Sequence, residues 1–154
     1  MATTNLGLEI INSSDYVSPT PINSNMEKID ALGIDYVVEE GTSGEWWYRK
    51  WNSGRAECGI DYKDFGQKGM TEWTSDGTFY ATDQMTFGSY PFSFSSSPFK
   101  IISFIEDKSL KTRLGFIIQE SASSTTLSGN FRIVDTYKST FNPCCGIYVC
   151  GRYK

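Results

Sequence analysis

The chain contains no histidine. That absence removes the commonest general base, and with it the Ser-His-Asp and Cys-His nucleophile arrangements and the two-histidine zinc-protease helix. Enzymatic chemistry would have to run on carboxylates. Also missing is any run of roughly 18 apolar residues, the length a helix needs to cross a bilayer, so membrane insertion is not expected. The first residues, Met1-Ala2-Thr3-Thr4-Asn5, carry no cationic stretch and no apolar core of signal-peptide type. The chain is therefore expected to be made in a cytoplasm and, if it acts outside, to leave by another route. Cations are few and scattered: 14 Lys and Arg against 18 Asp and Glu give a formal charge of −4. No basic stripe is present that could neutralise a row of phosphates, which excludes nucleic acid as a partner. Cysteine is limited to Cys58, Cys144, Cys145 and Cys150. Adjacent cysteines make poor tetrahedral ligands, and a chain this long does not depend on disulfide staples, so the four read as small buried hydrophobes. Neither a metal nor a cofactor is expected.

What the chain does have is aromatic residues and turns. Its 154 residues can bury one core plus a small appended module. With 39% hydrophobic residues, 15% aromatics and 14 glycines, the composition is that of a globular, β-rich protein. The densest feature is Trp46-Trp47-Tyr48-Arg49-Lys50-Trp51, followed by the turn Asn52-Ser53-Gly54 and a shorter return strand through Glu57 and Cys58. This is the pattern of a β-hairpin. Trp47, Arg49 and Trp51 fall on one face and Trp46, Tyr48 and Lys50 on the other. One row can fill a core while the other faces solvent or a neighbouring subunit. The motif, with Trp47, Arg49, Trp51 and Glu57, is read as scaffold.

The chain divides into an N-terminal arm and helix over 1–35, the tryptophan hairpin as a linker region over 36–70, and a sandwich head over 71–154. The helix is marked by Thr20 as cap, Pro21 at its first position, an apolar stripe of Ile22, Met26, Ile29 and Leu32, and Gly33 as its stop. About three turns of helix are marginal alone, so the stripe needs a partner, and Ile22, Met26 and Ile29 suit a seam between copies of the chain. Beyond Tyr36 every periodic signal is strand: 36–39, the hairpin, 71–74, 78–86, 99–105, 113–119, 129–137 and 146–153. Short strands separated by turns indicate an all-β, antiparallel sandwich preceded by one short helix. Both faces of 99–105 and 147–150 are apolar, for which a subunit interface is the simplest cover.

Three carboxylate pairs, Glu39 with Glu40, Asp61 with Asp64 and Glu72 with Asp76, have the composition of an acid–base couple for polysaccharide cleavage. Each also has the look of a solvated turn or strand end, so a catalytic role is not the expectation.

The opening Asn5-Leu6-Gly7-Leu8, with Val17-Ser18 and Ile22-Asn23-Ser24-Asn25-Met26-Glu27-Lys28-Ile29-Asp30, resembles the N-terminus of many phage and prophage tail proteins of Gram-positive gut bacteria. The stretch from Trp47 to Cys58 is similar to a tryptophan motif of tail-fibre and baseplate proteins in those phages. The remainder, with Tyr90-Pro91-Phe92-Ser93-Phe94, Pro98, Leu114-Gly115-Phe116 and the ending Tyr148-Val149-Cys150-Gly151-Arg152-Tyr153-Lys154, resembles an H-type lectin head. The resemblance implies a homotrimer in the virion tail, attached through its N-terminus to other tail or baseplate proteins and binding host cell-surface carbohydrate. It places Asp135, Tyr137, Lys138 and Asn142 where that family presents side chains to its sugar. An architectural tail adaptor and a carboxylate-dependent cell-wall hydrolase are the alternatives.

Overall fold

The computed structural model describes residues 19–31, 35–109, 115–121 and 124–154. The chain falls into two compact units, Met1–Tyr36 and Val37–Lys154. In the first, the helix α1 covers Pro19–Ala31. It begins one residue before the expected cap, so Thr20 lies inside its first turn. Met26 is 49% exposed and Ile29 half-buried; the side chain of Ile22 and the whole of Leu32 and Gly33 lie outside the described residues.

The second unit is an antiparallel β-sandwich. Its strands are β1 (Val37–Ser43), β2 (Trp46–Trp51), β3 (Arg55–Asp64), β4 (Lys68–Glu72), β5 (Tyr80–Thr82), β6 (Met85–Thr86), β7 (Phe99–Asp107), β8 (Phe116–Gln119), β9 (Asn130–Asp135), β10 (Thr140–Phe141) and β11 (Pro143–Arg152). One sheet has the order β1-β2-β3-β11-β7; the other runs β10-β4-β5-β9-β6, with β8 also pairing β9.

This order corrects the expected division at residue 70. The tryptophan hairpin is no linker: β3 pairs with β11 along nearly its whole length, from Arg55 opposite Arg152 to Asp64 opposite Cys144. Strands β2 and β3 are thus two of the five strands of a sheet in which the C-terminal segment takes an interior place. The return strand is also the longer arm of the hairpin, at ten residues against six. Two further differences are local. The expected strand over 78–86 is two short ones, interrupted at Asp83-Gln84, and β10 was not anticipated at all.

The core follows from period-two alternation. Trp46 on β2, Ala56, Cys58 and Ile60 on β3, and Cys145, Ile147 and Val149 on β11 are all buried on the inner side of the five-stranded sheet. Facing them are Met70, Met85, Phe131, Ile133 and Phe141, with Phe87, Tyr90 and Phe94 from the loops. Phe65 meets Phe87 and Phe131 edge-on at 5.2 and 5.4 Å, while Phe87 and Phe131 stack at 5.3 Å. Such geometry adds roughly 1 kcal/mol per pair to the area term. Cys58, Cys144 and Cys145 are buried free thiols and Cys150 is half-buried. Burial first, and then Glu57 beside Cys58 and Cys144 beside Cys145, push the Cys58 and Cys145 thiols up to about 12, which leaves them unreactive packing groups.

Lys50, on the inner side of β2, is held by aromatic rings. Its Nζ lies 5.5, 5.0 and 5.5 Å from the ring centroids of Tyr48, Phe92 and Tyr153 and 2.9 Å from Glu39 Oε2. The sandwich edge is therefore closed by a cation–π cluster in place of a hydrophobic plug.

Candidate functional site

The outer side of the five-stranded sheet carries the complementary row. Trp47 on β2 stands opposite Gly59 on β3, Gly59 opposite Tyr148 on β11, and Tyr148 opposite Ile101 on β7. Two residues further along the β2–β3 pair, Arg49 is opposite Glu57. None of this row enters the core, because strand alternation has committed Ala56, Cys58 and Ile60 inward and left Glu57, Gly59 and Asp61 outward.

Gly59 decides the local shape. A Cβ at that position would lie 2.7 Å from Trp47 Cζ2 and 2.7 Å from the Ile147 carbonyl oxygen. The missing side chain lets the indole settle over the sheet, 6.2 Å from the Tyr148 ring centroid. The indole is fixed by a hydrogen bond from Nε1 to Asp61 Oδ1 at 2.8 Å. Tyr148 donates its hydroxyl to Glu57 Oε2 at 2.6 Å. Burial, reinforced by the Glu57 carboxylate, pushes that phenol up to about 12, so it stays protonated near neutral pH. Arg49 completes the chain of contacts, 3.1 Å from Glu40 and 3.8 Å from Glu57.

Trp47 is flanked by two open hollows. On the β1 side, Glu40, Gly41, Thr42, Trp47, Tyr48 and Arg49 line a groove of about 490 Å³. On the other side, Ile60, Asp61, Ser103, Ile105, Gly146, Ile147 and Tyr148 line one of about 260 Å³. Gly146 keeps the second hollow low, since a Cβ there would stand 2.8 Å from the Asp61 carbonyl oxygen and 3.2 Å from Ile105 Cδ1. Along β7 the rim is apolar and exposed, with Phe99 at 62%, Ile101 at 48% and Ile105 at 44%. Trp51, at the end of the row, lies between the guanidinium groups of Arg49 and Arg55, 5.9 and 5.2 Å from its ring centroid.

The residues assigned to the sugar by resemblance do not form one cluster. Asp135 is buried at the end of β9, where its Oδ1 accepts from the Tyr137 backbone N–H at 3.2 Å and so closes the turn. Tyr137 is 70% exposed and Lys138 is exposed beside it. Asn142 follows β10, which is separated from β9 by β4 and β5, a gap of about 14 Å at strand spacing. Its backbone N–H donates to Asp107 Oδ1 at 2.9 Å. Its amide nitrogen, in the orientation that satisfies both ends of the group, donates to Asp64 Oδ1 at 2.8 Å and to the Gly66 carbonyl at 3.0 Å. Asn142 thus ties a corner of the fold together. The hairpin residues Trp47, Arg49, Trp51 and Glu57 lie together on the outer face, half-buried or exposed.

The carboxylate pairs are taken up by local contacts. Glu39 accepts from Lys50 and Tyr48, and both hold its carboxyl below the usual range. Glu40 pairs with Arg49. Asp61 holds the Trp47 indole, and Asp64 is ion-paired to Lys108 at 2.7 Å, which lowers its carboxyl as well. Asp76 accepts from the Thr78 N–H within its own turn and is likewise lowered, chiefly by the Thr74 hydroxyl. A general acid needs the opposite shift. Among the described residues, no three metal-ligating side chains come together, and no helix is long and apolar enough to cross a membrane.

The outer-face site was accessible to a period-two reading of 55–61, where Glu57, Gly59 and Asp61 alternate against Ala56, Cys58 and Ile60. What no local pattern supplies is the partner, Tyr148, which joins Trp47 only through the pairing of β3 with β11. No protein-family model matches the chain, and no curated protein or solved structure matches it either.

Proposed function

We propose that this chain is a glycan-binding attachment protein of a phage or phage-like tail. In this reading it acts as a trimer, performs no chemistry on its ligand, and holds host-surface carbohydrate on the outer face of the five-stranded sheet. The observation that carries the reading is the Trp47 indole, accessible on that face and fixed over Gly59 by Asp61, with Tyr148, Glu57 and Arg49 around it. An aromatic face packs against the apolar side of a sugar ring, while carboxylate, hydroxyl and guanidinium groups exchange hydrogen bonds with its hydroxyls. Those polar groups are already held by one another, so little ordering is lost on binding.

The tail assignment and the description of the sandwich as an H-type-lectin-like head rest on the resemblance of the N-terminal segment, the hairpin and the C-terminal strands. The trimer is supported by the exposure of Met26 on α1. One weak site per subunit gains avidity from three copies and from many fibres. The N-terminal segment is assigned to attachment in the tail or baseplate.

The test is a glycan array and whole-cell binding with the wild-type chain, Trp47→Ala and Tyr137→Ala, each checked for cooperative thermal unfolding. Trp47→Ala is expected to weaken binding about tenfold or more, near 1.4 kcal/mol, and Tyr137→Ala to leave it unchanged. The reverse ranking would return the site to the turn after β9. Absence of glycan binding by the wild-type chain would refute the proposal.

A further inference from the structure

We infer that the ligand of this face is a neutral, linear oligosaccharide lying across the strands, with one subsite in each hollow and the Trp47 ring between them. The inference rests on the glycan reading above and specifies its ligand class. Three observations carry it. First, the two hollows open on opposite sides of Trp47 on the same face, one towards β1 and one towards β7. From Thr42 on β1 to Ser103 on β7 is four strand spacings, about 19 Å at 4.8 Å each, which is longer than a single sugar ring.

Second, the charge is wrong for an acidic sugar. The groups lining the hollows that are charged near neutral pH are Glu40, Arg49 and Asp61. Arg49 is already engaged by Glu40 and Glu57, and Asp61 adds a negative charge at the second hollow. A carboxylated or sulfated sugar would meet repulsion from Glu40 and Asp61, with the Arg49 guanidinium already engaged and that of Arg55 placed beside the Trp51 ring at the end of the row.

Third, the floor and ends have the chemistry of a hydroxyl-rich guest. Gly146 keeps a side chain out of the second hollow, while Thr42 and Ser103 place short hydroxyls near the two far ends, each able to donate and accept.

The experiment is titration calorimetry of the full chain. The probes are neutral homo-oligosaccharides of glucose, galactose and N-acetylglucosamine from monosaccharide to hexasaccharide, with sialylated and sulfated oligosaccharides alongside. Affinity in one neutral series should rise at least tenfold from monosaccharide to tetrasaccharide, and the acidic sugars should bind more weakly than neutral ones of equal length. Thr42→Trp and Ser103→Trp, both at exposed positions, each fill one hollow. Each should abolish much of the length gain, and only the one that fills the hollow holding the monosaccharide should also weaken monosaccharide binding. Length-independent binding, a preference for acidic sugars, or tryptophan variants that retain the full gain would overturn the inference and leave glycan binding standing. Failure of every sugar to bind would overturn both.

Discussion

The indole of Trp47 occupies the space that a side chain at residue 59 would need: Cζ2 lies 2.7 Å from the position of a Cβ on Gly59. Gly59→Ala therefore has to displace either the ring or the β11 backbone at Ile147, whose carbonyl oxygen is equally near. Overpacking of this kind costs typically 1–3 kcal/mol. Chemical denaturation should show that loss, and tryptophan fluorescence should report a changed indole environment. An unchanged midpoint and spectrum would mean that Trp47 does not rest on residue 59.

Tyr148 gives the sheet a predictable alkaline limb. Its phenol is raised to about 12 in the folded chain, first by burial and then by Glu57, against about 10 when unfolded. The folded state thus keeps a proton that the unfolded state releases. The associated stability is whole below pH 10 and declines as pH climbs towards 12. Tyr62, hydrogen-bonded to Cys144 and Glu106, shifts in the same direction, so the comparison must be between wild type and Tyr148→Phe. The variant should lose less stability than wild type across that interval, and parallel curves would show that the Tyr148 phenol is not raised in the folded chain.

The ring cluster around Lys50 makes a charge, in addition to its aliphatic stem, part of the packing. Lys50→Met keeps an apolar stem of similar length and removes the cation from Tyr48, Phe92, Tyr153 and Glu39. A loss of about 1–2 kcal/mol is expected, read as a lower unfolding midpoint. Because Lys50 faces inward, glycan affinity should be preserved in the folded variant. A neutral or stabilising effect would show that the rings are satisfied by the stem alone.

The assembly prediction is separate from the ligand. Light scattering or native mass measurement should give three copies per particle, and Met26→Asp should shift the population towards monomer, since a carboxylate is costly in an apolar seam. A monomeric wild-type chain would remove the trimer from the proposal.

Period-two alternation was legible in the sequence because it depends only on neighbouring residues. The division of the hairpin into Trp46, Tyr48 and Lys50 against Trp47, Arg49 and Trp51 is the division the sandwich uses, with Trp46 in the core. Long-range pairing was not legible. The contacts that join Trp47 to Tyr148 and make the hairpin part of the sheet link residues about 90 positions apart, and turn signals around Asn52-Ser53-Gly54 say nothing of them. The same limit explains β10, whose two residues are a strand only because Lys68 and Gly69 lie opposite. Asn142 illustrates a third case. Its residue type suits a sugar contact, yet a polar side chain at a strand junction is drawn first to the unpaired backbone and carboxylates near it.

The position of β11 within its sheet governs how the molecule comes together. Residues 143–152 lie between β3 and β7, so neither neighbour has its central partner until this late segment arrives. Before then β3 and β7 present open hydrogen-bonding edges, which are hazards for association with other chains. Topology of this kind, dominated by non-local pairs, folds in milliseconds to seconds. Assembly of the outer face is therefore all-or-none: the Trp47 indole and the Tyr148 ring become neighbours in the same step that closes the sheet.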